Sequence, residues 1–585
     1  MKYWFKYVKP YLLYFILGPL GMITEVVGEV VLPYLFAIVI NKANDGTLTV
    51  EGSLGIMVLM ILTAAVMMTG GVAGAYFGAK ASVNFAADLR ADCFAKVQTY
   101  SFSNIDKFST GSLVTRLTND VTQLQNFVNM LLRMALRSPG MLIAGLVMAI
   151  ALKPSLSTVL AVSIPVLLIA IGSIVVTGFR RFGLMQKKID GLNSTVQESV
   201  TNVRVVKSFV REEYETEKFR TANRDLKTAG MSAMKIMIFM QPIITLVMNI
   251  TVLTVIWLGG GIVLEGDMQV GDLSAFISYT TQILSSLMMV TMLLMFSSRA
   301  LASAKRVREV LDETVDLDDS SAKYPDLTVQ KGEIEFKNVS FRYYKNSEGT
   351  VLDSIDLKIP AGSTVGIIGS TGCGKTTLVS LIPRLYDTDE GEVLIDGINV
   401  KDYSLYHLRE GVGMVLQKNT LFSGSVAENL RWGNPDATDE ELIAAAEHSK
   451  AHGFVSAFTD GYDYMIEQGG TNLSGGQRQR LSIARTLLKK PKIIILDDST
   501  SAVDTATERE IQRAFREDLA GSTKIIIAQR IGSVKDADTV IVMNEGKIAA
   551  VGKHDELLAT SVDYREIYES QADSHKEALA EKEGE

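Results

Sequence analysis

The sequence has few of the residues that build disulfide frameworks and metal clusters. Its 585 residues include only two cysteines, Cys93 and Cys373, and five histidines. Two cysteines cannot form a disulfide framework or a zinc cluster, which fits a protein whose working parts face a reducing compartment. The chain also lacks an excess of positive charge. Its formal net charge is −8, which argues against a nucleic-acid binder.

Apolar sequence, in contrast, is abundant and lies mostly in the first half of the chain. Hydrophobic residues make up 47% of the sequence, and the length is too great for one hydrophobic core, so two or more domains are expected. Each of six apolar stretches can cover a hydrocarbon core about 30 Å thick, which needs about 20 helical residues. The stretches fall near 12–40, 54–78, 122–152, 156–178, 238–264 and 274–298.

The connectors between these stretches differ in charge. The short ones, near 43–52, 152–156 and 264–272, carry few basic residues, whereas the long ones hold many lysines and arginines. By the positive-inside rule, the long connectors and both termini are cytoplasmic. Residues 1–21 have the charge and hydropathy of a secretory signal peptide, but the apolar run continues past Glu25 with no small-residue cleavage site. We therefore interpret them as a short helix leading into the first span.

The pattern of the sequence changes after residue 312. Residues 313–330 are polar, acidic and contain proline, as expected of an inter-domain linker. Between 331 and 571, short β-rich runs alternate with helical stretches, which is typical of an α/β domain with a largely parallel sheet. Residues 572–585 form a charged tail. The sequence thus predicts an all-α transmembrane domain over 1–312 fused to an α/β domain.

Residues 369–376 read GSTGCGKT, a P-loop that follows a β-rich run and precedes an apolar helical stretch. Its glycines let backbone N–H groups curl around phosphate oxygens. Lys375 is expected to reach the β- and γ-phosphates of ATP, and the Thr376 hydroxyl to bind Mg²⁺. Cys373 either makes ATP binding sensitive to thiol reagents or is only a small residue that fits the loop. The candidate ATP contacts here are Gly369, Ser370, Thr371, Gly372, Cys373, Gly374, Lys375, Thr376 and Thr377.

Further motifs surround the P-loop in the sequence. The run IIILDD ends with Asp497 in the position of a Walker-B carboxylate, which holds Mg²⁺. We expect Thr376 and Gln417 to complete the magnesium site with it. In the LSGGQ motif, Ser474 is expected to cap a helix, whose N-terminus would present N–H groups to a γ-phosphate. Tyr343 can stack on adenine or simply pack on its strand.

The order of GSTGCGKTT, LSGGQ and LDDSTSAVD resembles that of an ATP-binding cassette (ABC), and the first half resembles the six-helix membrane domain of type I (type IV) ABC exporters. The resemblance implies that two cassettes dimerise head to tail, each ATP lying between the P-loop of one and the LSGGQ of the other. It also implies two cytoplasmic coupling-helix regions, at Gly111–Asp120 and Lys207–Tyr214. The residues implied to serve the partner's site are Ser474, Gly475, Gly476, Gln477 and Asp504.

Two positions depart from the catalytic pattern of that family. Asp498 stands where the family has a glutamate as general base, and Gln529 where it has a switch histidine. Aspartate is one methylene shorter, so its carboxylate retreats by about 1–1.5 Å, and glutamine cannot carry a proton as imidazole can. We therefore expect this chain to bind ATP and hydrolyse it poorly, as the degenerate-site subunit of a bacterial heterodimeric exporter. A homodimer with two slow sites is the alternative.

The sequence says less about what is carried. Glu25 and Glu29 lie in the first span, where carboxylates are costly unless they face a cavity or a partner. They either bind a cationic substrate or form hydrogen bonds between helices. Two groups of methionines suit either a promiscuous apolar cavity or ordinary packing: Met231, Met234, Met237 and Met240, then Met288, Met289, Met292 and Met295. Multidrug-type export of hydrophobic compounds is favoured, with a lipid or peptide flippase or a regulatory ATP-binding subunit as alternatives.

Overall fold

The fold divides into two compact units. A computed structural model describes residues 2–320, 322–344, 349–498, 507, 510–511, 513–515 and 519–571. The first unit contains Met1–Gln98 and Thr110–Asp312, and the second contains Thr99–Ser109 together with Glu313–Glu585. The predicted charged tail, 572–585, lies outside the described residues.

Long helices build the first unit. α10 has 53 residues and is therefore about 80 Å long at 1.5 Å per residue, well beyond the thickness of a hydrocarbon core. Within the described residues, six helical segments are long and apolar enough to cross a membrane, as predicted. The helices are α1 Lys2–Val8, α2 Leu12–Asn44, α3 Val50–Gln98, α4 Phe102–Lys107, α5 Thr110–Thr115, α6 Val121–Met134, α7 Arg137–Leu152, α8 Thr158–Thr201, α9 Val203–Ser208, α10 Glu212–Leu264 and α11 Val270–Asp312, with α4 belonging to the second unit.

Small residues allow close helix contacts in the first unit. A Cβ atom built on Gly21 of α2 would come within 2.6 Å of the Gly74 backbone nitrogen on α3, so only glycine permits this approach. Elsewhere the buried Tyr279 hydroxyl of α11 donates to the Val30 carbonyl of α2 at 2.7 Å. Close backbone packing and buried polar contacts thus join helices that are distant in sequence.

The sequence predicts two breaks in the long helices, over 108–120 and over 203–219, but the first interruption lies earlier. It spans 99–109 and contains α4, whose first turn is capped by Ser101 and Asn104. Most of the predicted segment belongs instead to the first unit, where buried Asp120 accepts hydrogen bonds from Arg306 Nε at 2.7 Å and Ser303 Oγ at 2.9 Å. The capping pattern Ser-x-x-Asn was missed because the usual signature ends in Glu or Gln. The second interruption, around α9, falls within the predicted break over 203–219.

The second unit contains a six-stranded sheet in the order β12-β11-β3-β10-β9-β6 and a four-stranded antiparallel sheet in the order β2-β1-β4-β5. In the larger sheet only β12 runs antiparallel to its neighbour. Every residue of β9 and β10 is buried, as expected of parallel strands covered on both faces. The strands are β1 Ile334–Phe341, β2 Leu352–Ile359, β3 Thr364–Gly369, β4 Glu390–Ile395, β5 Ile398–Asn399, β6 Val412–Val415, β7 Gly424–Ser425, β8 Met465–Ile466, β9 Ile493–Asp497, β10 Thr523–Ile527, β11 Thr539–Asn544 and β12 Lys547–Gly552.

The candidate site residues gather at one edge of the larger sheet. Strands β3, β9 and β10 are adjacent and parallel, and the P-loop, Asp498 and Gln529 follow their carboxyl ends. This edge is where open α/β sheets bind ligands. The other helices of the second unit are α12 Lys375–Ser380, α13 Leu405–Glu410, α14 Val426–Arg431, α15 Asp439–His448, α16 His452–Val455, α17 Gly475–Lys489 and α18 His554–Thr560.

Candidate nucleotide site

The loop after β3 has the backbone shape of a phosphate cradle. Gly374 has φ +97°, and a Cβ there would lie 2.9 Å from the Leu352 side chain, so glycine is required on both counts. The Lys375 ammonium donates to the carbonyl oxygens of Gly369 at 2.8 Å and Ser370 at 2.7 Å. The Lys375 ammonium, which is expected to contact phosphate oxygens, therefore binds backbone carbonyls of its own loop.

Two of the three candidate magnesium ligands lie together beneath this loop. Thr376 Oγ1 donates to Asp497 Oδ1 at 3.1 Å. Burial raises the pKa of the Asp497 carboxyl above its ordinary value, which the Thr376 hydrogen bond only partly opposes. A hydroxyl and a buried carboxylate that is short of positive partners form an oxygen donor set that suits Mg²⁺, an ion that keeps several water ligands. The residues present thus fit the ion.

The two unusual residues of the site contact each other. Gln529 Nε2 donates to Asp498 Oδ2 at 2.9 Å, and Gln417 Nε2 lies 3.4 Å from the same oxygen. Gln417, the third candidate magnesium ligand, therefore lies beside Asp498, which occupies the position of the general base. Burial raises the pKa of the Asp498 carboxyl, which the Gln417 amide and the Lys375 charge partly offset. Asp498 also has φ +47°, an unusual conformation for a non-glycine residue.

Tyr343 lies next to the P-loop and next to a tyrosine that sequence reasoning missed. Its hydroxyl is 3.0 Å from Thr377 Oγ1, and its ring meets Tyr386 edge to face with centroids 5.2 Å apart. The Tyr386 hydroxyl donates to Asp106 Oδ2 at 2.9 Å, and its ring contacts Phe102 at 6.1 Å. Because α4 belongs to this unit, Tyr386 joins it to the nucleotide edge. A lone tyrosine in LYDTDEG gives no sequence signal for such a role.

The LSGGQ motif forms the start of α17 as predicted. The Ser474 hydroxyl accepts from the Gln477 backbone N–H at 3.3 Å, and Gln477 Oε1 accepts from the Ser474 backbone N–H at 2.8 Å. This reciprocal cap leaves Ser474 and Gly475 exposed at the helix N-terminus. The motif is thus available to a group outside this chain. Asp504, its expected companion, lies outside the described residues.

Three further candidates are decided by burial and contacts. Cys373 is buried within the P-loop, which favours its interpretation as a small residue that packs there.

In the first unit, Arg137 contacts both Glu25 and Glu29, so these carboxylates join helices rather than stand free. Of the predicted methionines, Met231, Met234, Met237 and Met292 are exposed, whereas Met240 and Met288 pack into a hydrophobic cluster. The side chain of Met295 lies outside the described residues.

Comparison with known families divides the chain as the fold does. Residues 12–287 match the family described as the ABC transporter transmembrane region, and residues 352–501 match the family described as ABC transporter.

Similar proteins extend along almost the whole chain. The uncharacterized ABC transporter ATP-binding protein YfiB of Bacillus subtilis is 37% identical over 570 residues, which cover 97% of this chain and 98% of YfiB. The uncharacterized protein Rv1273c of Mycobacterium tuberculosis, of the same description, is 37% identical over 577 residues, 97% of both chains. A bacterial Atm1-family ABC exporter solved with ATP bound superimposes with a TM-score of 0.77 at 25% identity, covering 97% of this chain and 98% of that one.

Proposed function

Because the chain belongs to the ABC transporter family, we propose that it exports hydrophobic or amphiphilic compounds as one subunit of a heterodimer. It is a multi-pass protein of the cell membrane, and its ATPase activity is coupled to transport. The ATP site built on this chain's own P-loop binds nucleotide but hydrolyses it slowly. Hydrolysis then takes place mainly at the partner's site.

The contact between Gln529 and Asp498 carries this proposal. A general base must lie within about 2.6–3.2 Å of the water that it activates. Here the short carboxylate is held at 2.9 Å by an amide that can donate but cannot accept and return a proton. Both substitutions affect one group of atoms, so they act together on the same chemical step.

The other residues keep roles that do not need this base. Lys375 binds the β- and γ-phosphates, and Thr376 with Asp497 holds Mg²⁺, which when bound neutralises the charge that develops on the phosphates. Tyr343 lies beside the loop to stack on adenine. Ser474, at the exposed start of α17, serves the nucleotide on the partner's P-loop. ATP bound at this chain's site then holds the cassettes together between cycles of transport.

The homodimer, flippase and regulatory alternatives make different predictions for the same experiment. The full-length chain is expressed alone and together with a second half-transporter that carries the glutamate and the histidine. Dye efflux is measured in inside-out vesicles. Efflux only with the partner supports the heterodimer, and efflux by this chain alone supports the homodimer. Lipid translocation without dye efflux would favour a flippase, and partner-driven efflux that needs only this chain's cassette would favour a regulatory subunit.

Single substitutions then separate the two ATP sites. We expect Asp498→Ala to leave the ATPase rate of the heterodimer within about twofold. Ser474→Ala or Gly475→Asp should lower it to near background, because these residues act on the partner's nucleotide. Lys375→Ala is the control for nucleotide binding at this chain's own site. The reverse pattern, a large loss with Asp498→Ala and none with Ser474→Ala, would contradict the assignment of the sites.

A further inference from the structure

A cavity of about 600 Å³ lies within the first unit, between α2, α3 and the α6–α7 segment. Its apolar wall consists largely of methionines, which adapt their shape to different ligands. An apolar cavity with a few polar groups is the usual form of a small-molecule site. The methionines are Met22, Met67, Met68, Met130 and Met134, none of which belongs to the two groups singled out in the sequence.

The acidic groups at this cavity are already paired. Arg137 Nη2 lies 2.6 Å from Glu29 Oε1 and 3.2 Å from Glu25 Oε1. All three side chains are about three-quarters buried, with exposed fractions of 23–26%. A cationic ligand would have to displace Arg137 from both carboxylates, and removing one partner from a buried ion pair is strongly unfavourable. The cluster of two carboxylates and one guanidinium has a net charge of −1, but both carboxylates are already held by Arg137.

Among the charged side chains that line the cavity within the described residues, Arg133 is the one without an ion-pair partner. Arg133 lies one helical turn before Arg137, lines the same cavity and is exposed. A guanidinium at an apolar cavity within a membrane-spanning segment is costly unless it meets an anion, and its planar fork matches carboxylate and phosphate oxygens.

We propose that this cavity binds an amphiphilic anion, with the acidic group on Arg133 and the apolar body against the methionines. The inference rests on the proposed export function, for which it names a substrate class. It also predicts the opposite charge preference from the one that the two glutamates suggest when read from the sequence alone. An acidic headgroup can belong to a soluble amphiphile or to a membrane lipid, and the experiment must distinguish these sources.

Binding to the full-length chain in phosphatidylcholine nanodiscs tests the proposal directly. The probes are 11-(dansylamino)undecanoic acid and its methyl ester, which differ only in the charge of the headgroup, and the readout is dansyl fluorescence. A charge-assisted hydrogen bond predicts that the acid binds about tenfold more tightly than the ester. Arg133→Gln should remove this difference and Arg133→Lys should largely keep it. Arg180→Gln on α8, an exposed arginine away from the cavity, is the matched control.

Adding phosphatidylglycerol to the nanodiscs identifies the source of the headgroup. If the anionic lipid weakens binding of the acid to the unmodified chain, but does not affect its binding to the Arg133→Gln variant, a lipid occupies the site. If it has no effect, the ligand is a soluble amphiphile. Equal affinities of acid and ester for the unmodified chain would overturn the proposal, as would an unchanged preference in Arg133→Gln. Either result leaves ATP-driven dye efflux intact, whereas loss of efflux for every compound would refute the export function itself.

Discussion

If the ATP site is slow as proposed, restoring the family's catalytic pair should turn it into a fast one. The perturbation is the double substitution Asp498→Glu with Gln529→His in the full-length chain. Glutamate adds one methylene, which extends the carboxylate by about 1–1.5 Å. Histidine replaces an amide that donates at 2.9 Å with a ring that can both accept and donate a proton.

The expected size of the effect follows from the geometry. A misplacement of about 1 Å of a reacting group costs about 10²-fold in rate, which corresponds to about 2.7 kcal/mol of activation free energy. Because Gln529 and Asp498 touch, the two substitutions should not be additive. We expect a gain of at most about tenfold from Asp498→Glu alone, since the glutamine would still hold the carboxylate. The pair together should give about 10²-fold.

The assay is steady-state ATPase of the heterodimer in nanodiscs, with the catalytic glutamate of the second subunit replaced so that only the site on this chain's P-loop can turn over. The kcat should rise about 10²-fold while the KM for ATP changes by less than about threefold, because the P-loop and Tyr343 are untouched. Adding Lys375→Ala to the double variant controls for a contaminating ATPase and should abolish the activity. The reasoning would be refuted by an unmodified chain that already hydrolyses ATP rapidly, or by a double variant no faster than it.

The remaining predictions concern the contacts around this site. Tyr386→Phe and Asp106→Ala both remove the hydrogen bond between α4 and the nucleotide edge while keeping the ring against Tyr343. Each should lower the stimulation of ATPase by transported compounds about two- to tenfold and leave the KM for ATP unchanged; a raised KM instead would mean that Tyr386 only supports nucleotide binding. Because the pKa of Asp497 is raised by burial, Mg²⁺-dependent ATP affinity should fall as the pH is lowered, beginning at a higher pH than for an ordinary aspartate. Titrating ATP binding between pH 7 and 5 with and without Mg²⁺ tests this. The terminal phosphate of ATP itself titrates at about pH 6, so Asp497→Asn, which should lose less affinity than the unmodified chain, measures that background.

The sequence predicted most of the fold because its strongest signals are local. Six apolar stretches and the strand–loop–helix context of the P-loop are patterns within about 20 neighbouring residues. The first interruption was misplaced because α4 is only six residues long, and its position depends on contacts that the sequence does not display. Asn104 Nδ2 donates to the Thr314 carbonyl at 3.0 Å, and Lys107 pairs with Glu313 at 2.8 Å. Both partners lie more than 200 residues away.

The motifs name the candidate residues of the ATP site, but they do not give the interactions between those residues. The motifs identified Lys375, Thr376 and Asp497 because their chemistry requires fixed residue types at fixed spacing. No motif indicates that Tyr386 fills the space between α4 and Tyr343. No motif indicates that the Gln529 amide donates a hydrogen bond to the Asp498 carboxylate. Such contacts depend on how strands distant in sequence meet at one edge of the sheet.

The same distinction explains the charges in the first unit. The cost of burying a carboxylate in a membrane span shows that Glu29 needs a partner, but the partner, Arg137, lies 108 residues away and is found only in the fold. In the fold both glutamates contact Arg137, whereas Arg133 has no ion-pair partner within the described residues. Arg133 therefore says more about what the cavity accepts than the two glutamates do, although the glutamates are more conspicuous in the sequence.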